Sequence, residues 1–383
     1  MEKTIKEKEK LDILFISNSL DLGGAEKIMY EIIKRIGKYN KEIICLTGNG
    51  YHSKLLEKEG VKITYCNLNK KLLDFIKILK LYRFILKKKP KIIHSFLYHS
   101  DVIASILGKL TFTKIILWSV HHDFIKSDNT ALRNIQVNFL SIISNFIPDK
   151  IIYCSMESLK NHVEIGYCKR KSLLINNGIS IKKFFPREKN YNKFRKILGL
   201  NKDTFLIGHI ARFHPIKGHK ILIKSLKLVK EQNENFKCLM IGANINKKNK
   251  SLNYQIKKNN LERNIILYGE TKFPEKLINA FDLNIISSVS ESSSLVLMEA
   301  MASGVPTLST DVGPISKTMG QSGWVVKNKS SKELAEKLIF IIRNKSLLKE
   351  KSILEIDRIS RKYSQDKMLK KYNLNYEKYL KKM

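Results

Sequence analysis

Short runs of apolar, often β-branched residues alternate with amphipathic stretches of helical period through the first half of the chain. This alternation is typical of βαβ units, in which helices join parallel strands and cover the faces of their sheet. The predicted strands span 11–17, 42–47, 61–66, 91–96, 114–120, 150–154 and 172–176, and the helices between them span 24–36, 52–58, 72–88, 99–110 and 130–144. The pattern predicts an α/β domain built on a parallel sheet.

The alternation stops at Asn177-Gly178 and a polar stretch through Arg187, as expected for a turn and an inter-domain linker. It then resumes, with strands predicted at 204–210, 237–242, 264–268, 283–287 and 306–309 and helices at 218–231, 252–259, 274–280, 294–301 and 331–344. We predict two doubly wound domains, 1–178 and 179–362, with ligands bound in a cleft at the carboxyl ends of the strands. The basic segment 363–383 is predicted to form an amphipathic helix that packs back on the first domain.

The composition is that of a soluble globular protein, because 383 residues with 43% hydrophobic content can form two cores. The charged N-terminus lacks the apolar stretch of a secretory signal, and no apolar segment reaches the length of a membrane span. We therefore expect a cytoplasmic protein. The five cysteines are scattered and include no Cys-x-x-Cys pair, so neither a disulfide framework nor a zinc site is expected.

The net charge of +36 suits a large anionic partner, either nucleic acid or an anionic membrane leaflet. Specific recognition of nucleic acid is not expected, because no basic patch interleaved with aromatic residues is present. Segment 70–89 is both apolar and basic, as an interfacial helix would be. The alternative is a crossover helix whose apolar face is buried on the sheet.

Two glutamates, Glu291 and Glu299, flank a predicted helix start at Ser294. The unpaired N–H groups and the positive dipole end of that helix suit a diphosphate. Glu299 could accept hydrogen bonds from ribose hydroxyls, and Glu291 could face a sugar. The alternative interpretation is one capping residue and one solvated helix face.

Two cations, Arg212 and Lys217, lie in the loop after the first strand of the second domain. Together they would stabilise a pyrophosphate leaving group, and we expect them to face Glu291 and Ser294 along one sheet edge. In a chain this basic, the alternative is a pair of solvated surface residues.

In the first domain, Gly23-Gly24 follows the first strand and would let a ligand approach backbone N–H groups, unless the pair is only a tight turn. His121 and His122 follow the fifth strand, and one of them could bind a sugar hydroxyl or transfer a proton. Adjacent strand residues point to opposite faces, so only one can face the cleft. No His, Asp or Glu cluster has metal-ligand spacing, so no metal is expected.

These motifs closely resemble the retaining glycosyltransferases of family 4, which have the GT-B fold of two Rossmann-like domains. The most specific match is Glu291-Ser-Ser-Ser-Leu-Val-Leu-Met-Glu299-Ala-Met-Ala-Ser-Gly304-Val-Pro306. Further matches are Gly23-Gly24-Ala25-Glu26, Asn177-Gly178-Ile179 with Phe184-Phe185-Pro186, and Arg212 with Lys217-Gly218. Segments 94–101 and 118–122 are similar to the branch that builds bacterial surface polysaccharides and lipid-linked oligosaccharides.

The resemblance implies metal-independent transfer of a sugar, with retention, from a UDP- or GDP-linked donor to a hydroxyl of a lipid-linked or polysaccharide acceptor. The donor is a substrate, no cofactor is implied, and the leaving phosphate helps to deprotonate the acceptor. From the net charge and segment 70–89, we further expect the enzyme to be peripheral on the inner face of the cell membrane.

The implied site residues fall into four roles. Arg212 and Lys217 would hold the diphosphate, and Glu299 would hold the ribose. Glu291 and the backbone of Ser293, Ser294 and Leu295 would hold the sugar and phosphate. Gly23 and Gly24 would approach the donor phosphates or the acceptor, and His121 would contact the sugar or the acceptor. The family usually has Gly-Phe or Gly-Tyr after the first glutamate, whereas Ser292-Ser293 stands here, so the resemblance does not assign the donor sugar.

Overall fold

The computed structural model describes residues 11–68, 74–121, 131–201 and 203–381. Contacts between residues divide the chain into two compact units. Unit 1 comprises Met1–Asn176 together with Met368–Met383, and unit 2 comprises Asn177–Lys367. Each unit is an α/β domain with its own core.

The described part of unit 1 contains one sheet of seven parallel strands in the order β3-β2-β1-β4-β5-β6-β7. The strands are β1 (Ile13–Ser17), β2 (Lys41–Cys45), β3 (Lys62–Tyr65), β4 (Ile92–Phe96), β5 (Ile115–Val120), β6 (Lys150–Tyr153) and β7 (Ser172–Leu174). The strand order reverses between β1 and β4, which is the switch point at which doubly wound sheets bind ligands.

Helices connect successive strands of unit 1. They are α1 (Gly24–Arg35), α2 (Tyr51–Lys58), α3 (Asp74–Lys88), α4 (Tyr98–Leu110), α5 (Ala131–Ser144) and α6 (Met156–Glu164). α3 buries Leu81 and Ile85 against the sheet, as expected for a crossover helix. The sequence predicted this helix at 72–88, and the first two of those residues lie outside the described part. The central strands β1 and β4 are buried along their whole length, because helices cover both faces of the sheet.

The C-terminal helix α15 (Gln365–Leu380) supplies Tyr372 and Tyr376 to the core of unit 1. The Tyr376 hydroxyl lies 2.7 Å from Nδ1 of His94 on β4. The prediction that the last helix packs back on the first domain is therefore confirmed.

The described part of unit 2 contains a sheet of six parallel strands in the order β10-β9-β8-β11-β12-β13. The strands are β8 (Phe205–Ile210), β9 (Phe236–Ile241), β10 (Ile265–Gly269), β11 (Leu283–Ile286), β12 (Thr307–Thr310) and β13 (Trp324–Val326). The helices are α7 (Glu188–Ile197), α8 (His219–Glu231), α9 (Lys250–Lys258), α10 (Pro274–Leu277), α11 (Leu295–Ala302), α12 (Ile315–Met319), α13 (Ser331–Arg343) and α14 (Ser346–Lys362). The strand order again reverses, here between β8 and β11, so both units have the doubly wound topology that the alternation predicted.

Five elements were not predicted from the sequence: α6, α7, α12, α14 and β13. α7 and α14 are rich in polar residues, and α14 buries only Glu355 and Ile359, so neither has a wide apolar stripe. β13 and α12 are three and five residues long, too short for a period to be visible. None of the described helices is long and apolar enough to cross a membrane.

Candidate active site

Three loops of unit 2 follow the neighbouring strands β8, β11 and β12 and meet at one edge of the sheet. Val289 in the loop after β11 donates a backbone hydrogen bond of 2.8 Å to Ile216 in the loop after β8. The Thr310 hydroxyl, at the end of β12, donates 2.6 Å to the carbonyl of Ser288. These bonds fix the position of the loop after β11, which contains Glu291.

Within this edge, the Lys217 ammonium lies 2.7 Å from Oε1 of Glu291. The Ser288 hydroxyl donates 2.8 Å to the same carboxylate oxygen. The Glu291 side chain is 9% exposed and that of Lys217 is 25% exposed, so the pair is largely withdrawn from water but still reachable from the strand ends. The structure thus brings together two residues that the sequence placed at the same sheet edge.

Two glycines allow the loops to approach this closely. Gly218 has φ +67°, and a Cβ there would lie 1.8 Å from the carbonyl oxygen of Ser287. Gly313 has φ +52°, and a Cβ there would lie 1.8 Å from the carbonyl oxygen of Glu291. Any side chain at these positions would push the loops apart and move the pair of Lys217 and Glu291.

The helix α11 begins directly after this loop. Ser294 is its N-cap, and the Ser294 hydroxyl accepts a hydrogen bond of 3.3 Å from the N–H of Leu297. The amide of Asn177 donates 3.1 Å to the hydroxyl of Ser293. Glu299, one turn into the helix, is 4% exposed. The helix α11 therefore starts at Ser294, where the sequence predicted a helix start.

Two further residues, Arg212 and Asp311, lie in the loops at this edge. Arg212 follows β8, and its side chain is exposed. Asp311 follows β12, and its carboxylate accepts a hydrogen bond from the hydroxyl of Ser316. The exposed guanidinium of Arg212, in the same loop as Lys217, gives this edge a second cation that is accessible to a dissolved anion.

Below the loops, two buried histidines were missed in the sequence. Nδ1 of His209, on β8, lies 2.9 Å from the carbonyl of Ile285 on β11, and its ring centroid is 4.9 Å from that of His219 on α8. Burial lowers the pKa of His209 to about 4 and that of His219 to about 3, so both are neutral at pH 7. In the sequence, His209 lies within an apolar strand, and this position could have predicted that its side chain is buried.

In unit 1, Gly23 is the N-cap of α1 and Gly24 is the first residue of that helix. Gly23 is extended, with φ −154°. A Cβ at Gly23 would lie 2.1 Å from a carboxylate oxygen of Glu26, so the Glu26 side chain folds back toward the start of its own helix. The absence of a side chain at Gly23 thus leaves room for the Glu26 carboxylate beside the start of α1.

His121 follows β5 and is 8% exposed. Its ring stacks on Phe96 with centroids 5.4 Å apart and an interplanar angle of 13°. Burial lowers the pKa of His121 to about 4, so the ring is neutral at pH 7. His122, the other candidate, lies outside the described residues.

The segment that begins at His94 forms a buried polar cluster beside His121. Nε2 of His94 lies 2.8 Å from the hydroxyl of Ser119, in addition to the Tyr376 contact on its other nitrogen. The Ser95 hydroxyl donates 2.6 Å to Asp101, and burial raises the pKa of that carboxyl well above its usual range. These contacts satisfy both nitrogens of His94, the Ser95 hydroxyl and one oxygen of Asp101, whereas the buried Ser100 hydroxyl and Oδ2 of Asp101 make no hydrogen bond within the described residues.

Two Rossmann-like sheets, each with its candidate residues at the carboxyl ends of the strands, define the GT-B class of glycosyltransferases. Residues 22–183 match the family Glycosyltransferase Family 4, and residues 190–370 match the family Glycosyl transferases group 1. The chain belongs to the family 4 glycosyltransferases of the GT-B fold and is therefore a transferase.

Three known proteins illustrate the similarity. The capsular polysaccharide biosynthesis glycosyltransferase CapM of Staphylococcus aureus is 24% identical over 361 residues, which are 91% of this chain and 93% of CapM. The putative glycosyltransferase EpsF of Bacillus subtilis is 29% identical over 138 residues, 36% of this chain and about a third (35%) of EpsF. The crystal structure of Anabaena Alr3699/HepE in complex with UDP and glucose has a TM-score of 0.85 at 20% identity and covers 95% of this chain and 99% of that one.

Proposed function

We propose that the protein transfers a sugar from a nucleotide diphosphate donor, UDP- or GDP-linked, to a hydroxyl of a lipid-linked or polysaccharide acceptor in surface polysaccharide biosynthesis. The observation that carries the proposal is the pair of Lys217 and Glu291 beside the N-terminus of α11. A cation, a carboxylate and free helix N–H groups at one edge match the diphosphate and the sugar hydroxyls of such a donor. The name of CapM supports the assignment to polysaccharide biosynthesis.

In this proposal, Arg212 and Lys217 hold the diphosphate, and the backbone of Ser293, Ser294 and Leu295 donates hydrogen bonds to it. Glu299 accepts hydrogen bonds from the ribose hydroxyls, and Glu291 accepts them from the sugar. The ion pair with Glu291 holds the Lys217 ammonium in place before the donor arrives, which lowers the entropic cost of ordering that side chain on binding. The exposed Arg212 then closes on the phosphates as a bidentate donor.

The reaction proceeds with retention and without a metal ion. The bond between the anomeric carbon and the leaving phosphate oxygen breaks, and the acceptor oxygen bonds to the same face of the sugar. The leaving phosphate takes the acceptor proton, so no protein nucleophile is needed. Arg212 and Lys217 stabilise the negative charge that develops on the diphosphate.

Unit 1 is assigned to the acceptor. Neutral His121 acts as a hydrogen-bond partner of the sugar or the acceptor hydroxyl, since its lowered pKa keeps it uncharged at pH 7. Gly23 and Gly24 let the donor phosphates or the acceptor approach the start of α1. We assign the enzyme to the cytoplasm, peripheral on the inner face of the membrane where lipid-linked acceptors are found.

The test is release of nucleotide diphosphate from a panel of UDP- and GDP-sugars in the presence of lipid-linked acceptors. Arg212→Ala should lower kcat/KM about ten- to a hundredfold through the loss of charge-assisted hydrogen bonds. Lys224→Ala, which removes an exposed cation from α8, is the control and should leave kcat/KM unchanged. If Arg212→Ala turned over every accepted donor at the wild-type rate, the site assignment would be wrong.

Two further measurements separate the finer parts of the proposal. NMR of the product gives the anomeric configuration, and inversion would contradict the retaining mechanism. Turnover after exhaustive treatment with EDTA should equal that of untreated enzyme. Activity restored only by an added divalent cation would contradict metal independence while leaving the transferase assignment intact.

A further inference from the structure

The helices α3, α4 and α5 lie side by side on one face of the unit 1 sheet, with α4 in contact with both of its neighbours. Their inner sides form the core: Leu81 of α3 and Leu107 of α4 pack in one cluster, and Val137 and Leu140 of α5 pack in another. We call the opposite, solvent-exposed side of these three helices the α3–α5 face. A surface helix normally exposes mainly polar residues on that side, whereas these helices also expose many large apolar side chains.

The apolar surface is clearest on α5 and the turn after it. Leu132, Ile135, Phe139, Ile142 and Phe146 recur at intervals of three and four residues, and all five are exposed, by 44 to 77%. This spacing puts them in one stripe on the side of the helix opposite its buried residues. Arg133 is the only charged residue within α5. The stripe therefore has none of the charges that normally solubilise an exposed helix.

The neighbouring helices α4 and α3 also expose apolar side chains. Ile106 and Leu110 of α4 are exposed, as are Phe75, Ile76 and Leu79 of α3. Monomeric soluble proteins rarely expose contiguous apolar patches of this extent, and such patches mark interaction sites. At least ten large apolar side chains are thus exposed on three adjacent helices and the turn after α5.

Basic residues border the apolar ones. On α3, exposed Lys80, Arg83 and Lys87 follow one another at intervals of three and four residues, directly beside the apolar ridge of that helix. Lys109 on α4 is also exposed. The acidic residues within α3, α4 and α5 are Asp74, which pairs with Lys77, and buried Asp101. The border is thus strongly positive.

We propose that the α3–α5 face docks on the surface of an anionic lipid bilayer, with its apolar side chains at the boundary of headgroups and acyl chains. Charge decides the occupant. Lipid headgroups of negative charge complement Lys80, Arg83 and Lys87, whereas a second copy of the chain would bring two positive borders together. The docking inference rests on the membrane location assigned in the proposed function, but its test measures vesicle binding and does not depend on sugar transfer.

Co-sedimentation with phosphatidylcholine vesicles, with and without phosphatidylglycerol, tests the proposal at 0.15 M salt. The variant Ile135→Gln, Phe139→Gln, Ile142→Gln removes apolar contact but keeps good helix formers. The variant Lys80→Gln, Arg83→Gln, Lys87→Gln removes the positive border. Each should lower partitioning onto anionic vesicles at least tenfold, and wild-type binding should be weaker on neutral vesicles.

Matched controls separate this face from the high net charge of the whole chain. Tyr254→Gln, Phe340→Gln, Ile353→Gln replaces three unit 2 residues of similar exposure, and Lys224→Gln, Lys257→Gln, Lys332→Gln removes three exposed unit 2 cations. Both controls should bind within twofold of wild type. A charge control as weak as the α3 variant would show nonspecific attraction and overturn the proposal.

A local reporter gives an independent readout. Tryptophan fluorescence of Ile142→Trp should shift to the blue on anionic vesicles and be quenched by brominated lipids, whereas Tyr254→Trp should show neither change. Unaltered emission at position 142 during binding would place the contact elsewhere. A dimer in sedimentation velocity that the α5 variant converts to monomer, without vesicle binding by wild type, would show that a second copy covers the face.

Discussion

Lys217 and Glu291 lie 74 residues apart in the chain, yet their side chains form an ion pair of 2.7 Å at the carboxyl edge of the unit 2 sheet. Removing either partner leaves a charge that is mostly shielded from water. We expect Lys217→Ala to lower kcat/KM by about tenfold to a hundredfold, since a charge-assisted contact contributes roughly 1.5–3 kcal/mol. Steady-state release of nucleotide diphosphate measures this effect.

A double-mutant cycle with Glu291→Gln separates stability from catalysis. Unfolding in urea should show coupling between positions 217 and 291. The exposed pair of Lys227 and Glu231 on α8, 3.7 Å apart, is the control and should show little coupling. If the effects of Lys217→Ala and Glu291→Gln were additive for both stability and kcat/KM, the two side chains would not be energetically coupled.

Gly313 and Gly199 form a second, internally controlled test. Both have positive φ, +52° and +63°, but a Cβ at Gly199 meets nothing within 4 Å, whereas one at Gly313 overlaps the Glu291 carbonyl. Gly199→Ala should cost roughly 1 kcal/mol of unfolding free energy through backbone strain alone. Gly313→Ala should cost at least about 2 kcal/mol more and also lower activity, because the Glu291 loop must move. Equal costs for the two variants would contradict the close approach.

The hydrogen bond between Tyr376 and His94 predicts a loss of stability when the hydroxyl is removed. Tyr376→Phe keeps the buried ring but leaves Nδ1 of His94 without its partner, which should cost roughly 1–3 kcal/mol. Tyr167→Phe is the control, since the buried Tyr167 hydroxyl makes no hydrogen bond within the described residues. Thermal unfolding followed by fluorescence of Trp118 compares them. A Tyr376→Phe variant as stable as Tyr167→Phe would show that the contact contributes nothing.

The alternation of apolar and amphipathic segments was enough to predict both parallel sheets apart from β13, because their central strands are buried and have continuous apolar runs. The helix start at Ser294 was also predictable, since a serine cap before an apolar run is a local signal. The pair of Lys217 and Glu291 was expected only as a shared sheet edge. The contact itself depends on the loop conformations at Gly218 and Gly313. A short sequence pattern does not reveal contacts between loops that lie this far apart in the chain.

Other features needed the three-dimensional structure. α14 has little apolar periodicity because it buries few residues, so its sequence is like that of a surface segment. The α3–α5 face was predicted only in part, through segment 70–89. The stripe on α5 has the period of a buried helix side, and only the structure shows that the sheet contacts the opposite side.

The buried pair of His209 and His219 predicts how stability of unit 2 depends on pH. Burial lowers the pKa of His219 to about 3, below the value near 6.5 of an exposed histidine, so the unfolded chain binds its proton first as pH falls. The stability that neutral His219 contributes is therefore fully present above pH 6.5 and is lost progressively as pH falls toward 3. His219→Phe keeps a ring against Phe213 and does not titrate.

Urea unfolding between pH 7.5 and 5 measures the difference in unfolding free energy between wild type and His219→Phe. Both proteins carry Trp118→Phe, so that the fluorescence of Trp324 reports on unit 2. Whatever the difference at pH 7.5, wild type should lose up to about 1.4 kcal/mol per pH unit relative to the variant below pH 6.5. Contributions of other groups, including the buried Glu355 carboxyl, cancel in this comparison. Two parallel curves across that range would show that His219 is not held neutral by burial.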